Sequence, residues 1–136
     1  MNLVEVDLNK IIIDEKRRDQ VIVLKEKGGD RQFPIMIGLV EASSIKMRLS
    51  KLQMPRPMTH DLIISIFEGL EAVPQKLVID KIVDHTFHAK LIVEAVDGSI
   101  KEIDSRPSDG VALAVRAQIP IFVDEEVLKS TEIPKF

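Results

Sequence analysis

Two short segments combine arginine, hydroxyl and carboxylate side chains, which can bind ions and exchange protons. The first runs from Met54 to Leu62 and holds Arg56 between two prolines, followed by Thr59, His60 and Asp61. A histidine titrates near neutral pH and can transfer protons, and a carboxylate can hold a cation or accept a proton. This combination indicates acid–base chemistry or a metal site.

The second segment repeats this order of residue types in Asp104, Arg106, Pro107, Ser108 and Asp109. Hydrolysis of a phosphodiester commonly uses carboxylates to hold a divalent cation and a positive charge to stabilise the pentavalent transition state. Asp104 and Asp109 are therefore candidate cation ligands, and the arginines of the two segments are candidate phosphate ligands. Glu41, at the start of an earlier helix, is a further candidate ligand.

Both segments also have a purely structural interpretation. In the first, Thr59 caps a helix, Asp61 complements the helix dipole and His60 packs at the edge of an apolar face. In the second, Arg106 pairs with Asp109 at i, i+3, and the serine between them hydrogen-bonds the first helical turn. The residue types alone leave the catalytic and structural interpretations open.

Composition excludes several classes of protein. The chain has 136 residues, which fits a single domain, and it has no cysteine for a disulfide, a thiolate metal site or a nucleophile. Its net charge of −3 and its five phenylalanines without Trp or Tyr do not indicate a general nucleic-acid-binding surface. No apolar run approaches a membrane span, and the acidic N-terminus is unlike a signal peptide. We therefore expect a soluble cytoplasmic protein.

Hydrophobic patterning predicts the elements that position these residues. Alternating or β-branched runs predict strands near residues 3–8, 20–27, 32–37, 76–83, 86–95, 99–104 and 120–123. Turns are predicted at Gly28-Gly29 and at Asp97-Gly98, and Pro34 predicts a sheet edge or a strand start. Between the strands, apolar spacing predicts three main helices and a final helical turn at 125–128.

Each predicted helix has an expected buried face. The third, from Pro107 through Gln118, is apolar nearly all round and is expected to be central. The first opens at Glu41. Its expected buried residues are Ala42, Ile45, Leu49 and Leu52, and those of the second helix are Leu62, Ile63, Ile66, Phe67 and Leu70. The predicted fold is thus α+β: an antiparallel or mixed sheet packed with about three main helices.

Several blocks together resemble the bifunctional nuclease (BFN) domain family. The blocks occur in the family's order from about Val4 to Leu128, and the proposed domain covers residues 1–136. They are Phe33–Gly38 with Glu41-Ala42, Pro55–Leu62, Thr86–Ala89 and Asp104–Ala114. This chain has Gly110 where members commonly show Ala.

The resemblance implies a nuclease that hydrolyses DNA and RNA without strong sequence preference. It also implies a homodimer with a groove that holds the active site. Carried over by motif, His60, Asp61, Asp104 and Asp109 are the expected catalytic residues. Arg56 and Arg106 are expected to bind phosphate, and the expected ligands of a divalent cation, Mg or Mn, are Asp61, Asp104, Asp109 and Glu41. The alternative is a non-catalytic module that binds a partner protein or a small anion through the same two segments.

Overall fold

The computed structural model describes residues 2–13, 16, 19–51 and 58–131. This part of the chain forms seven strands and four helices. The strands are β1 (Leu3–Ile12), β2 (Asp19–Glu26), β3 (Gln32–Gly38), β4 (Val73–Val83), β5 (Thr86–Glu94), β6 (Ile100–Ser105) and β7 (Ile121–Asp124). The helices are α1 (Leu39–Leu49), α2 (Thr59–Gly69), α3 (Pro107–Ala117) and α4 (Glu125–Thr131). The predicted α+β class is confirmed, and the predicted final turn is a short fourth helix.

The sheet consists of two antiparallel meanders joined by β7. Its strand order is β3-β2-β1-β7-β4-β5-β6. The central strand pairs antiparallel with β1 and parallel with β4, which makes the sheet mixed. Pro34 lies on β3, an edge strand, as predicted from its missing N–H. The Asp97-Gly98 turn is also confirmed, because Gly98 has a φ of 86° that favours glycine.

Helix α3 packs in the middle of the domain. Pro107 occupies the first turn, where its missing N–H has no cost. Val111 and Ala112 are fully buried, and the helix contacts β3, β4 and β5 as well as α1 and α2. Gly110 allows close approach to the sheet, since an added Cβ would lie 2.9 Å from Cδ2 of Leu77. The prediction of a central buried helix is confirmed.

Helix α2 buries only part of its predicted face. Leu62, Ile66 and Leu70 are 53%, 48% and 67% exposed, whereas His60 is only 4% exposed. Ile63, Ile64 and Phe67 pack partly buried against the core. The prediction for Leu62, Ile66 and Leu70 was wrong because this helix is apolar on most sides, so periodicity does not select a face.

Two helix starts also differ from the prediction. Helix α2 has Met58 as its N-cap residue, and Thr59 is its first helical residue. The prediction that Thr59 caps the helix was therefore wrong. Helix α1 begins at Leu39 and places Glu41 in its first turn. Its expected buried residues Ala42 and Ile45 are fully buried, Leu49 is 55% exposed, and Leu52 lies outside the described residues.

Candidate functional site

An open cleft of about 540 Å³ lies between α1, α2, α3 and the end of β6. It brings together five of the seven predicted site residues, from parts of the chain far apart in sequence. These five are Glu41, His60, Asp104, Arg106 and Asp109, and the other lining residues are Val40, Thr59, Ile63, Phe67, Leu91, Ile103, Ser105 and Leu113. The two segments singled out in the sequence therefore meet at one place.

His60 is held between two polar side chains. Its Nδ1 lies 2.8 Å from Oγ of Ser44, and its Nε2 lies 3.0 Å from Oδ1 of Asp109. An ionised carboxylate only accepts hydrogen bonds, so Nε2 must carry a hydrogen. In the neutral ring Nδ1 is then an acceptor, and the Ser44 hydroxyl donates to it. The geometry thus selects one tautomer of His60.

Asp109 is the more exposed partner of His60. Its side chain is 32% exposed, against 5% for His60. Its second oxygen, Oδ2, accepts a hydrogen bond from Nε of Arg106 at 2.9 Å. Burial tends to raise the pKa of this carboxyl, but the hydrogen bonds from His60 and Arg106 outweigh burial and hold the pKa below its usual range. Asp109 is therefore ionised at neutral pH.

Arg106 extends the network to α1 and to solvent. Its Nη2 donates to Oε1 of Glu41 at 2.6 Å, and its side chain is 69% exposed while that of Glu41 is 12% exposed. The hydrogen bond to Asp109, followed by that to Glu41, raises the pKa of the guanidinium. Within the described residues Nη1 has no protein acceptor. The i, i+3 pair of Arg106 and Asp109 is thus present, as one link of a network that runs from Ser44 to Glu41.

Asp61 has other partners and does not line the cleft. Its Oδ1 accepts from Nε of Arg116 at 2.7 Å, and its Oδ2 accepts from the backbone N–H of Met58 at 3.1 Å. The Arg116 side chain is only 6% exposed. Its hydrogen bond is the main cause that lowers the pKa of Asp61. Asp61 therefore joins α2 to α3 and satisfies the start of α2, the structural role foreseen for it.

Asp104 lies at the rim of the cleft, but strand register directs its side chain elsewhere. It pairs with Lys90, whose neighbours Ala89 and Leu91 are buried in the core. Because side chains alternate along a strand, Lys90 and Asp104 project from the opposite sheet face. The structure thus separates the Asp104 carboxylate from that of Asp109.

The expected metal ligands do not form one coordination group. Among the described residues, no three His, Asp or Glu side chains come together in a way that could hold a metal ion. The carboxylates of Glu41, Asp61 and Asp109 instead bind arginines. This set of donors does not fit a divalent cation. Arg56 lies outside the described residues.

Sequence patterns missed Ser44 and Arg116. Ser44 lies three residues after Glu41, one turn further along the same side of α1, and is 5% exposed. This i, i+3 spacing was a usable signal. The Asp61–Arg116 pair had no comparable signal, since 55 residues separate its members.

Comparisons with known proteins extend over most of the chain. The family profile described as the bifunctional nuclease domain matches residues 22–135. An uncharacterized protein of Mycobacterium tuberculosis (strain ATCC 25618 / H37Rv) is 39% identical over 124 residues, which cover 91% of this chain and 73% of that protein. Bifunctional nuclease 1 of Oryza sativa subsp. japonica is 25% identical over 109 residues, which cover 78% of this chain and 33% of the plant protein.

Proposed function

Because the chain belongs to the bifunctional nuclease domain family, we propose that it hydrolyses phosphodiester bonds of DNA and RNA in the cleft beside His60. The observation that supports the proposal most directly is the continuous network of Ser44, His60, Asp109, Arg106 and Glu41. This network supplies a proton-transfer pair and an exposed cation in one cleft. The similarity to plant proteins named bifunctional nucleases agrees with this assignment.

Arg106 is the proposed phosphate ligand. Its side chain is mostly exposed, and ion pairs with Asp109 and Glu41 fix the orientation of the guanidinium. A planar guanidinium binds phosphate oxygens well, and its charge opposes the negative charge that develops in the transition state. The remaining N–H groups on Nη1 face no described acceptor and are available to a substrate oxygen.

Asp109 and His60 are the proposed proton-transfer pair. Asp109 is the member of the pair that a water in the cleft can reach, and His60 donates to it from behind. In the proposed step, Asp109 takes a proton as the water oxygen attacks phosphorus. The bond from phosphorus to the leaving sugar oxygen breaks, that oxygen takes a proton from a second water molecule, and Asp109 returns its own proton to the solvent. Ser44 keeps the His60 ring in the orientation that this step needs.

The other predicted site residues are less directly placed in the cleft than His60, Arg106 and Asp109. Asp104 lines the rim of the cleft, whereas Asp61 lies outside it and bonds Arg116. Arg56 remains a predicted phosphate ligand. The requirement for a divalent cation, Mg or Mn, also remains a prediction. It comes from the family resemblance, and the described side chains do not supply a group of ligands for it.

The test is cleavage of fluorophore-quencher DNA and RNA oligonucleotides by highly purified protein. Asp109→Asn, His60→Ala and Arg106→Gln should each lower kcat/KM at least tenfold, the usual scale for a proton-transfer group or a phosphate ligand. His88→Ala is the matched control, since this histidine lies on β5 and outside the cleft. Equal cleavage by all of these proteins would show that the activity comes from a contaminant or another site.

EDTA tests the cation in the same assay. Loss of cleavage with EDTA and its return with Mg or Mn would support the predicted requirement. Asp61→Asn and Asp104→Asn extend the test to the remaining carboxylates. Unchanged rates in EDTA would contradict the cation prediction while leaving the hydrolase proposal intact.

A non-catalytic anion-binding module is the second candidate. Both ring nitrogens of His60 and both oxygens of Asp109 are already occupied by protein groups, which favours a static site. In that case wild-type protein should bind a labelled oligonucleotide without cleaving it, and Arg106→Gln should abolish binding. Cleavage that depends on Asp109 would rule this candidate out.

A homodimer is the expected assembly. The exposed leucines and isoleucine at positions 62, 66 and 70 form an apolar stripe along α2 that remains uncovered in the single chain. We expect light scattering to give about twice the mass of one chain, and Ile66→Lys to shift the protein toward the monomer. A monomeric wild type would refute the assembly.

In the described part of the chain, no helix is long and apolar enough to cross a membrane.

A further inference from the structure

A second cleft, of about 420 Å³, lies on the other side of Arg106. It is enclosed by the edge strand β3, the turn between β4 and β5, and the start of α3. Its lining residues are Pro34, Ile35, Met36, Ile37, Gly38, His85, Thr86, Phe87, Arg106, Pro107 and Ser108. Arg106 lines both clefts. A bound nucleic-acid strand can therefore pass from one cleft to the other beside this side chain.

The two clefts differ in charge. The first contains the carboxylates of Glu41 and Asp109 and has Asp104 at its rim. No acidic residue is among the described residues that line the second, which instead contains Arg106 and His85. An anion therefore meets less repulsion in the second cleft.

Ser108 provides the second observation that indicates a ligand. The residue is only 7% exposed, it lines the second cleft, and its hydroxyl makes no hydrogen bond within the described part of the chain. The sequence had led us to expect that this hydroxyl bonds the first turn of α3, and that expectation was wrong. More than nine-tenths of the residue is buried, but its hydroxyl oxygen keeps some contact with solvent, so the free hydroxyl opens into the cleft, where a ligand can reach it.

The start of α3 adds donors at the same place. Pro107 has no N–H, so the first available backbone donors are those of Ser108 and Asp109. First-turn N–H groups have no partner within their own helix, and the helix dipole favours an anion there. Arg106 is the N-cap residue, and no side chain caps the helix. A hydroxyl, backbone N–H groups and an arginine thus lie within four consecutive residues beside the second cleft.

We infer that the second cleft binds the nucleotide next to the cleaved bond, with its phosphate held by Ser108, the start of α3 and Arg106. The inference rests on the proposed function. The opposite wall, with Phe87 and the 58% exposed side chain of Met36, provides apolar contact for the base. Cleavage would then occur in the first cleft on the neighbouring phosphate of the same strand.

Ser108→Ala tests this subsite without removing charge or volume from the core. We expect an approximately tenfold weaker Kd for a fluorescein-labelled thymidine oligonucleotide, because a hydrogen bond to a phosphate is lost. The dependence of Kd on salt should stay as in the wild type, whereas Arg106→Gln should reduce the slope by about 0.7, as expected when one phosphate contact is lost. Ser130→Ala is the matched control, because that hydroxyl bonds Val127 in α4.

Ser108→Asp separates ligand binding from helix stability. A carboxylate in the first turn favours the helix, whereas its burial at a position that is 7% exposed opposes it, so the melting temperature is measured beside the affinity to show that the variant is folded. The same charge should repel a phosphate and weaken binding at least as much as Ser108→Ala does. Unchanged affinity in this variant would overturn the inference.

Two substrates distinguish failure of the subsite from failure of the proposed function. Thymidine 5′-(p-nitrophenyl) phosphate has one phosphodiester and no neighbouring phosphate. Its hydrolysis should be unaffected by Ser108→Ala, while kcat/KM for the oligonucleotide falls about tenfold. If the wild type cleaves the oligonucleotide and Ser108→Ala binds and cleaves it with the same Kd and kcat/KM, the subsite alone is refuted. Oligonucleotide binding that depends on Ser108 but never leads to cleavage would refute the hydrolase proposal alone.

Discussion

Replacing Asp109 by Asn removes a charge from the centre of the network while preserving the shape of the side chain. The native carboxylate accepts from His60 and from Arg106 at once. An amide has only one accepting oxygen, so both hydrogen bonds cannot survive unchanged. If the amide oxygen keeps the hydrogen bond from Arg106, the amide nitrogen faces Nε2 of His60 and must donate to it. Nε2 can accept only in the other tautomer of the ring, in which the hydrogen is on Nδ1. In that tautomer Nδ1 donates to Ser44.

The two bonds contribute unequally. The bond to Arg106 involves a side chain that is 69% exposed, so it contributes at most about 1 kcal/mol. The bond from the buried His60 to a carboxylate belongs to the stronger class, of about 1.5–3 kcal/mol. The tautomer change recovers part of this, so we expect Asp109→Asn to lower the free energy of unfolding by about 2 kcal/mol at neutral pH.

The effect should depend on pH in a defined direction. The pKa of Asp109 is lowered in the folded state, so its ionised form stabilises the protein above the unfolded pKa. This contribution is lost as the pH falls through the folded pKa. The difference between wild type and Asp109→Asn should therefore be full at pH 7, begin to shrink near pH 4, and disappear only once the pH falls below the lowered pKa of the folded state.

Urea unfolding followed by far-UV circular dichroism is the appropriate assay, because the chain has no Trp or Tyr for fluorescence. Asp104→Asn is the control, since this exposed residue should change stability by no more than about 0.5 kcal/mol. Nitrogen NMR of His60 should report the tautomer change in Asp109→Asn. Unaltered stability together with an unaltered ring tautomer would refute the assigned network.

Two further predictions concern residues outside the cleft network. Gly110→Ala should lower stability by about 1 kcal/mol, because its Cβ would overlap the fully buried Leu77 and this cost exceeds the gain in helix propensity. Thermal unfolding tests this, and Leu77→Val should relieve the loss; additive effects would contradict the contact. Asp61→Asn should cost about 1 kcal/mol at pH 7 by weakening the bonds to Arg116 and Met58. Since the pKa of Asp61 is lowered, this loss should begin to shrink near pH 4 and disappear only below the folded pKa, and a constant difference across pH would refute the assignment.

Local sequence determined much of the fold. Alternation within β5 placed Ala89, Leu91 and Val93 on one buried face, as the structure confirms. The Asp97-Gly98 turn and Pro107 at the start of α3 follow from backbone restrictions that act over a few residues. The burial of α3 was also predictable, because a helix that is apolar all round has no face suited to water.

Tertiary structure decided the arrangement of the candidate site. The sequence showed that His60 and Asp109 lie near helix starts, but their contact joins residues 49 positions apart. The buried face of α2 carries this contact together with the core packing of Ile63 and Phe67, whereas periodicity was equally compatible with burying Leu62. The opposite projection of Asp104 depends on its pairing with Lys90 in the sheet. Local preferences fix which elements form, whereas hydrogen bonds between distant side chains fix which of their faces meet.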